Sequence, residues 1–428
     1  MGNGIRYHFT PEKGWMNDPN GTIYIDGVYH LFYQYYPDDI VWGPMHWGHA
    51  TSVDLINWKH EEIALYPDED GYIFSGSCVL DKDNVTGFGD GDTKPLIAIY
   101  TCHNPKTGEQ QQCIAYSLDY IHFTKFEGNP VIKNRIDDEN YQVDFRDPKV
   151  FENPVKGGYS MVLAVGRNLE FYHSANLIDW QKTGVFDPAV NGFYGICECP
   201  DCFPLECDGE TKWILSCSSI LEDDKVGHRL SEKGFNTARV MQYFVGDFDG
   251  DIFIDTEKYR EPLVLDYGTD NYAMVTFSNC SKPLAIGWGE HWDYAMKTPY
   301  KKRRGKMTIV RKLSLVRVGG TYRLRQEPYW HHNDFGKEKE PCVIDFDIGN
   351  VERMIFYDSA SYKEVLKFEV DKENMRIKRK SFIKDDKYNV FTFPRIVGNR
   401  TNLKIIRDGN YFEIFAENGL MVFSVMTY

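Results

Sequence analysis

The sequence predicts an all-β protein: a five-bladed β-propeller over residues 1–315, then a short β-sandwich over 316–428. Three observations carry that prediction. Helical periodicity is scarce, while short β-rich runs separated by Gly, Asp, Asn and Pro recur. A seven-residue segment returns at intervals of about sixty residues, room for several strands per repeat. After about Leu315 the texture changes to tight hairpins.

The runs Thr22 to Ile25, Tyr29 to Tyr36, Leu96 to Thr101 and Tyr159 to Val165 read as strands. The repeat is Ser52-Val-Asp-Leu-Ile-Asn-Trp58, then Ser117-Leu-Asp-Tyr-Ile-His-Phe123, then Ser174-Ala-Asn-Leu-Ile-Asp-Trp180. Each copy closes a strand-rich unit with Ser, an Asp or Asn two residues on, and an aromatic. A span of roughly 310 residues holds about five such units, the pattern of propeller blades. In the tail, Asp408-Gly409 and Asn418-Gly419 mark hairpin turns. Val365 to Val370 and Met375 to Lys380 alternate like strands of a separate antiparallel module. That module should pack on itself and on the propeller, and it is the expected surface for any homo-oligomer.

The 428 residues fit two domains. A net charge of −14 repels phosphates and anionic lipid, so neither nucleic acid nor membrane is an expected partner. Lys301 to Arg304 is a short basic run and reads as a solvated loop. No stretch is apolar enough to span a bilayer, and MGNGIRYHFT lacks the apolar core of a secretory signal. The expectation is a cytoplasmic protein, or a secreted one whose signal has been removed. Ten cysteines, five of them between Cys197 and Cys217, favour a reducing compartment. Aromatics reach 15%, which suits both strands and sugar-ring stacking.

Three segments place a carboxylate among residues unusual for a plain strand. In Trp15-Met-Asn-Asp-Pro-Asn-Gly21, Pro19 biases Asp18 to an extended conformation. In Phe145-Arg-Asp-Pro148, Arg146 should keep Asp147 ionised by lowering its pKa. In Glu198-Cys-Pro-Asp201 the neighbours are apolar or weakly polar, which should favour a proton donor at Glu198. Retaining glycoside hydrolysis needs one carboxyl ionised for attack and another protonated for the leaving group. Sequence spacing does not show that residues this far apart converge, but a propeller brings successive blades to one central face.

At these segments the chain resembles glycoside hydrolase family 32, the invertases, inulinases and levanases. WMNDPNG at 15–21, FRDP at 145–148 and ECPD at 198–201 look like its three catalytic signatures in order. YHLFYQYYP at 29–37, WGPMHWGHATSVDLINW at 42–58, FSGS at 74–77 and YFVGDFDG at 243–250 extend the likeness. DYGTDNYA at 266–273, IGW at 286–288 and WDYA at 292–295 carry it to about residue 315. The tail is similar, more loosely, to the family's C-terminal β-sandwich.

The resemblance implies that Asp18 is the nucleophile on fructose C2 and Glu198 the acid and then the base. Asp147 would bind fructose hydroxyls and stabilise the oxocarbenium-like transition state. It also implies that Asn17, Gln34, Trp42, Phe74, Ser75, Arg146, Tyr267, Tyr272 and Trp288 line the fructose pocket. The implied substrates are fructan, fructo-oligosaccharide or sucrose, attacked at the chain end, with no cofactor and no metal.

Rival readings follow from particular residues. Fructosyl transfer uses the same side chains as hydrolysis, and a non-catalytic sugar-binding propeller would have lost a carboxylate. Cys197, Cys199, Cys202 and Cys207 are dense enough for zinc, but a retaining mechanism needs no metal. Alternation should put Cys197 and Cys199 on one strand face, opposite Glu198. Asn271 and Gly289 depart from the family pattern and are expected near the pocket rim.

Overall fold

The protein is described from a computed structural model over residues 7–191, 195–222, 237–259, 262–330, 342–349, 352–358, 360–398 and 401–428. Among the described residues seven sheets, antiparallel but for one two-residue pairing, account for nearly all of the regular structure. Among the described residues the helical segments are single turns such as Ala295–Lys297 and Asp386–Tyr388. None is long and apolar enough to cross a membrane.

Five sheets follow one another along residues 14–328. Their first strands are Gly14–Ile25, Tyr72–Leu80, Phe145–Glu152, Gly195–Cys207 and Tyr272–Thr276. These five strands touch their neighbours in that order, and the last touches the first again. Arg303–Arg304 pairs in parallel with Gly14 and Trp15, adding a late strand to the first sheet. The basic run expected to be a solvated loop is therefore half built into a sheet. Arg304 also donates to the Thr298 carbonyl at 2.7 Å.

The repeated segment is a turn that hands the third strand of a sheet to its fourth. Asp54 Oδ1 accepts from the N–H of Ile56 and Asn57, at 2.9 and 2.7 Å. Asp119 does the same with Ile121 and His122, and Asn176 with Ile178 and Asp179. Leu55, Tyr120 and Leu177 each sit in the turn at φ of 65°, 67° and 63°. A side-chain acceptor offsets that backbone by holding the turn closed. Asp249 builds a fourth copy without the serine, using Gly250 at φ 97°.

The last two sheets have four strands each. One is built from Glu352–Tyr357, Glu364–Val370, Asn374–Arg379 and Val390–Pro394. The other is built from Cys342–Ile348, Thr401–Asp408, Tyr411–Ala416 and Met421–Met426. Leu366 and Phe368 of the first share one apolar core with Ile405 and Phe412 of the second. A division at 315/316 falls inside the strand Arg311–Val318, whose hairpin partner Thr321–Pro328 completes the fifth sheet.

Buried charge joins the two parts. Arg311 Nη2 lies 2.6 Å from Glu413 and its Nη1 3.0 Å from Asp266. Arg379 Nη1 lies 2.5 Å from Asp270. His8 bridges Asp408 at 2.8 Å and Glu413 at 2.9 Å. Burial alone would hold that imidazole neutral, but the two carboxylates outweigh it and raise its pKa to about 9.

Candidate active site

All five first strands carry the same irregularity. Two residues of the strand face one residue of its neighbour at Asn17-Asp18, Phe74-Ser75, Asp147-Pro148, Cys199-Pro200 and Ala273-Met274. A bulge releases a side chain from strict alternation and re-aims it. Pro148 and Pro200 occupy two of these bulges, and Pro19 follows just beyond the first, because a residue without an N–H is tolerated there. Asp147, Cys199 and Ala273 adopt φ of 64°, 44° and 54°, backbone strain held by the surrounding sheets.

The bulges at Asn17-Asp18, Phe74-Ser75 and Asp147-Pro148 open onto one cleft of about 410 Å³, and Glu198, next to the Cys199 bulge, joins them. Asp18, Asp147 and Glu198 all line it, with Asn17, Gln34, Trp42, Phe74, Ser75 and Arg146 around them. Asp18 is buried. Its Oδ2 accepts from Ser75 Oγ at 2.8 Å, and its Oδ1 finds no hydrogen-bond donor among the described residues. Burial raises its pKa against the pull of Ser75, and the Glu198 charge adds to the rise. Trp15 Nε1 holds Asn17 Oδ1 at 2.8 Å, and Gln34 Nε2 is tied to the Ile73 carbonyl at 3.0 Å. Trp42 stands at the rim, edge-on to Phe74.

Asp147 Oδ2 accepts the Cys199 N–H at 2.9 Å, and the Asp147 N–H donates to Thr101 Oγ1 at 2.9 Å. Its pKa rises to about 7, because burial outweighs Arg146, with Asp18 and Glu198 adding repulsion. The expected lowering by Arg146 does not win. The guanidinium turns to Glu198 Oε1 at 3.1 Å and to Asp144, leaving Asp147 at 3.9 Å. Glu198 in turn accepts from Tyr272 Oη at 2.7 Å and lies 3.8 Å from Arg239. Its surroundings are cationic and phenolic rather than apolar.

Other expectations are corrected by the same geometry. Tyr267 is not in the cleft. Its N–H bonds the Val422 carbonyl at 2.7 Å and its ring packs on Phe393 and Phe423. Trp288 lies fully buried behind the wall, against Trp292 at 4.9 Å and Trp15 at 5.9 Å. Asn271 is buried on Asp266 at 3.0 Å, away from the rim. Gly289 faces Tyr411, where an added Cβ would meet its hydroxyl at 2.9 Å.

The bulge at Cys199 also breaks the cysteine alternation. Cys197 and Cys202 enter one core cluster, while Cys199 joins another and brings its Sγ 3.4 Å from Asp18. Asp201 is structural: it accepts from Thr276 N and Oγ1 at 2.6 and 2.8 Å and faces Lys149 at 3.4 Å. Among the described residues no group of three or more His, Cys, Asp and Glu is placed to hold a metal ion.

His103, Arg239, Ile220 and Trp292 line the cleft without having been singled out in the sequence. Trp292 opens the WDYA segment and Arg239 opens the strand that carries YFVGDFDG; His103 and Ile220 lie in strands with no flanking motif.

The family profile for "Glycosyl hydrolases family 32 N-terminal domain" matches residues 8–328. The chain belongs to glycosyl hydrolase family 32. It is 45% identical over 331 residues to a levanase of Bacillus subtilis (strain 168), covering 76% of this chain and 46% of that protein. It is 37% identical over 355 residues to an extracellular exo-inulinase of Aspergillus niger, covering 76% of this chain and 64% of the relative. The chain thus spans about half to two thirds of the length of these curated relatives. The crystal structure of an exo-inulinase from Aspergillus awamori superposes with a TM-score of 0.85 at 27% identity, over 99% of this chain and 92% of that one. The family 32 match ends at Pro328, the last residue of the fifth sheet.

Proposed function

We propose that this protein is a retaining β-fructofuranosidase that removes terminal fructose from fructans, fructo-oligosaccharides and sucrose. The observation that carries the reading is the meeting of Asp18, Asp147 and Glu198 in one cleft of a family 32 chain. Its levanase and exo-inulinase relatives support fructans as the substrate class.

Asp18, whose Oδ1 finds no donor among the described residues, attacks the anomeric C2 and forms a fructosyl ester. Glu198, more exposed than Asp147, protonates the departing oxygen and then deprotonates water. Asp147 and Arg146 hold fructose hydroxyls, and Asp147 stabilises positive charge developing on the ring. Asn17, Gln34, Ser75, Trp42 and Phe74 shape a pocket for a single chain-end sugar, hence exo-action. No cofactor takes part.

The five-sheet ring fits a five-bladed propeller and the last two sheets a β-sandwich, with the division after Pro328 rather than at 315. The sandwich is the proposed surface for self-association. When a second sugar replaces water as acceptor, the same residues give fructosyl transfer.

Incubation with sucrose, inulin and levan, beside Asp18→Asn, tests the reading. Monomeric fructose released by the wild type and reduced by on the order of 10⁴-fold in the variant is expected. Longer oligosaccharides from sucrose would assign transfer, and no turnover of any of the three would overturn the proposal.

A further inference from the structure

A line of polar contacts runs from the second part of the molecule to Glu198. Tyr388 ends the turn Asp386–Tyr388, whose Asp385 side chain caps the Lys387 N–H. The Tyr388 hydroxyl donates to Asp293 Oδ2 at 2.6 Å. Asp293 Oδ1 accepts from Arg239 Nε at 3.3 Å. Arg239 Nη1 lies 3.8 Å from Glu198 Oε2, the same oxygen that accepts from Tyr272 at 2.7 Å. The Arg239 guanidinium is 5.9 Å from the centre of the Tyr272 ring.

Tyr388 is itself held firmly. Its carbonyl accepts from the buried Arg379 Nε at 2.7 Å, and its ring lies edge-on to His291 and Tyr294. His291 does not supply the missing charge at Asp293. Burial lowers its pKa to about 4, and its Nδ1 accepts the Asp293 N–H at 3.2 Å. Arg239 is therefore the cation that Asp293 orients. An arginine chain has several rotatable bonds, and one anchor at Nε fixes which way its fork points.

We infer that Tyr388 and Asp293 are positioning residues for the acid–base carboxyl: through them the C-terminal part of the chain holds Arg239 beside Glu198. This rests on the role proposed above for Glu198, but the contact chain stands apart from it. Among the described residues, the other charged or titratable groups facing Glu198 are Arg146, Asp18, Asp147, Tyr272, Cys197 and Cys199; those facing Asp293 and Tyr388 are His291, Asp385 and Lys387. None of them changes in the variants below. A guanidinium close to a carboxylate favours its ionised form, so releasing Arg239 makes Glu198 keep its proton to higher pH.

The test follows the Glu198 carboxyl by ¹³C NMR of glutamate-labelled protein, assigned with Glu198→Gln, across pH 3 to 9. Arg239→Gln sets the full effect. Tyr388→Phe and Asp293→Asn should each move the midpoint upward by about half a unit, in the direction of Arg239→Gln. Where wild-type turnover is measurable, the basic limb of its kcat/KM profile should move likewise. Asp293→Asn, nearly isosteric, keeps the test open if Tyr388→Phe folds poorly. Midpoints in both variants that coincide with wild type, while Arg239→Gln shifts, would overturn the inference. A chain inactive on every fructan with the NMR shifts intact would sink the proposed activity and leave the positioning role standing.

Discussion

Cys199 and Asp147 occupy equivalent bulges in neighbouring strands, both at positive φ, and the Cys199 N–H donates to Asp147 Oδ2 at 2.9 Å. One strained peptide thus fixes the central carboxylate, and the next residue back along its strand is Glu198. Strain of this kind persists where the rest of the fold over-determines it. Here the five-sheet ring supplies that constraint, so the chemistry is placed by backbone geometry rather than by loops.

Asp147 should destabilise the fold at neutral pH. Its folded pKa, about 7, lies above the ordinary 3.8, so the folded state binds more protons between those values. Stability then falls as pH rises through that window. Asp147→Asn should match wild type near pH 3.8 and be more stable by a few kcal/mol above pH 7, while losing activity. Urea unfolding at the two pH values checks this; a variant less stable at pH 8 than wild type would contradict it.

His8 should act in the opposite sense. Its folded pKa of about 9 exceeds the ordinary 6.5, so its ion pairs with Asp408 and Glu413 contribute fully below pH 6.5 and fade towards pH 9. His8→Gln should cost about 3–5 kcal/mol at pH 6, with the gap narrowing as pH rises. Thermal melts of both proteins from pH 6 to 9 measure the gap, and a constant difference would count against the charge pairing.

The two tyrosines of the 266–273 segment should separate cleanly. Tyr272→Phe removes a 2.7 Å hydrogen bond to Glu198 and should lower kcat on sucrose about tenfold. Tyr267→Phe, packed on Phe393 and Phe423, should leave kcat and KM unchanged. Equal kinetic losses in both variants would mean that Tyr267 reaches the substrate.

Much of this was legible in the sequence. The Ser-x-Asp turn betrayed its own repeat, because a side-chain acceptor two residues after the serine is what the turn needs. Asp-Pro pairs marked two bulges, since proline cannot serve the ladder. What sequence could not show was direction. Asp147 follows Arg146, yet the arginine serves Glu198 on another strand. Cys197 and Cys199 look like one strand face until the bulge parts them. Tyr267 sits five residues from Tyr272 but answers to backbone pairing with Val422. Arg239 lies just before the 243–250 segment rather than in it, and its importance comes from Asp293 and Glu198, both distant in the chain.

The most direct test of the central claim is a search for the fructosyl ester on Asp18. Glu198→Gln, incubated with a fructosyl fluoride, does not need an acid for the first step but lacks the base for the second. Peptide mass spectrometry of the quenched reaction should find one anhydrofructosyl unit on the Trp15–Gly21 segment, at Asp18, and none when Asp18→Asn is added. Turnover of the fluoride with no adduct on Asp18, or an adduct on Asp147 instead, would contradict the assignment of Asp18 as nucleophile.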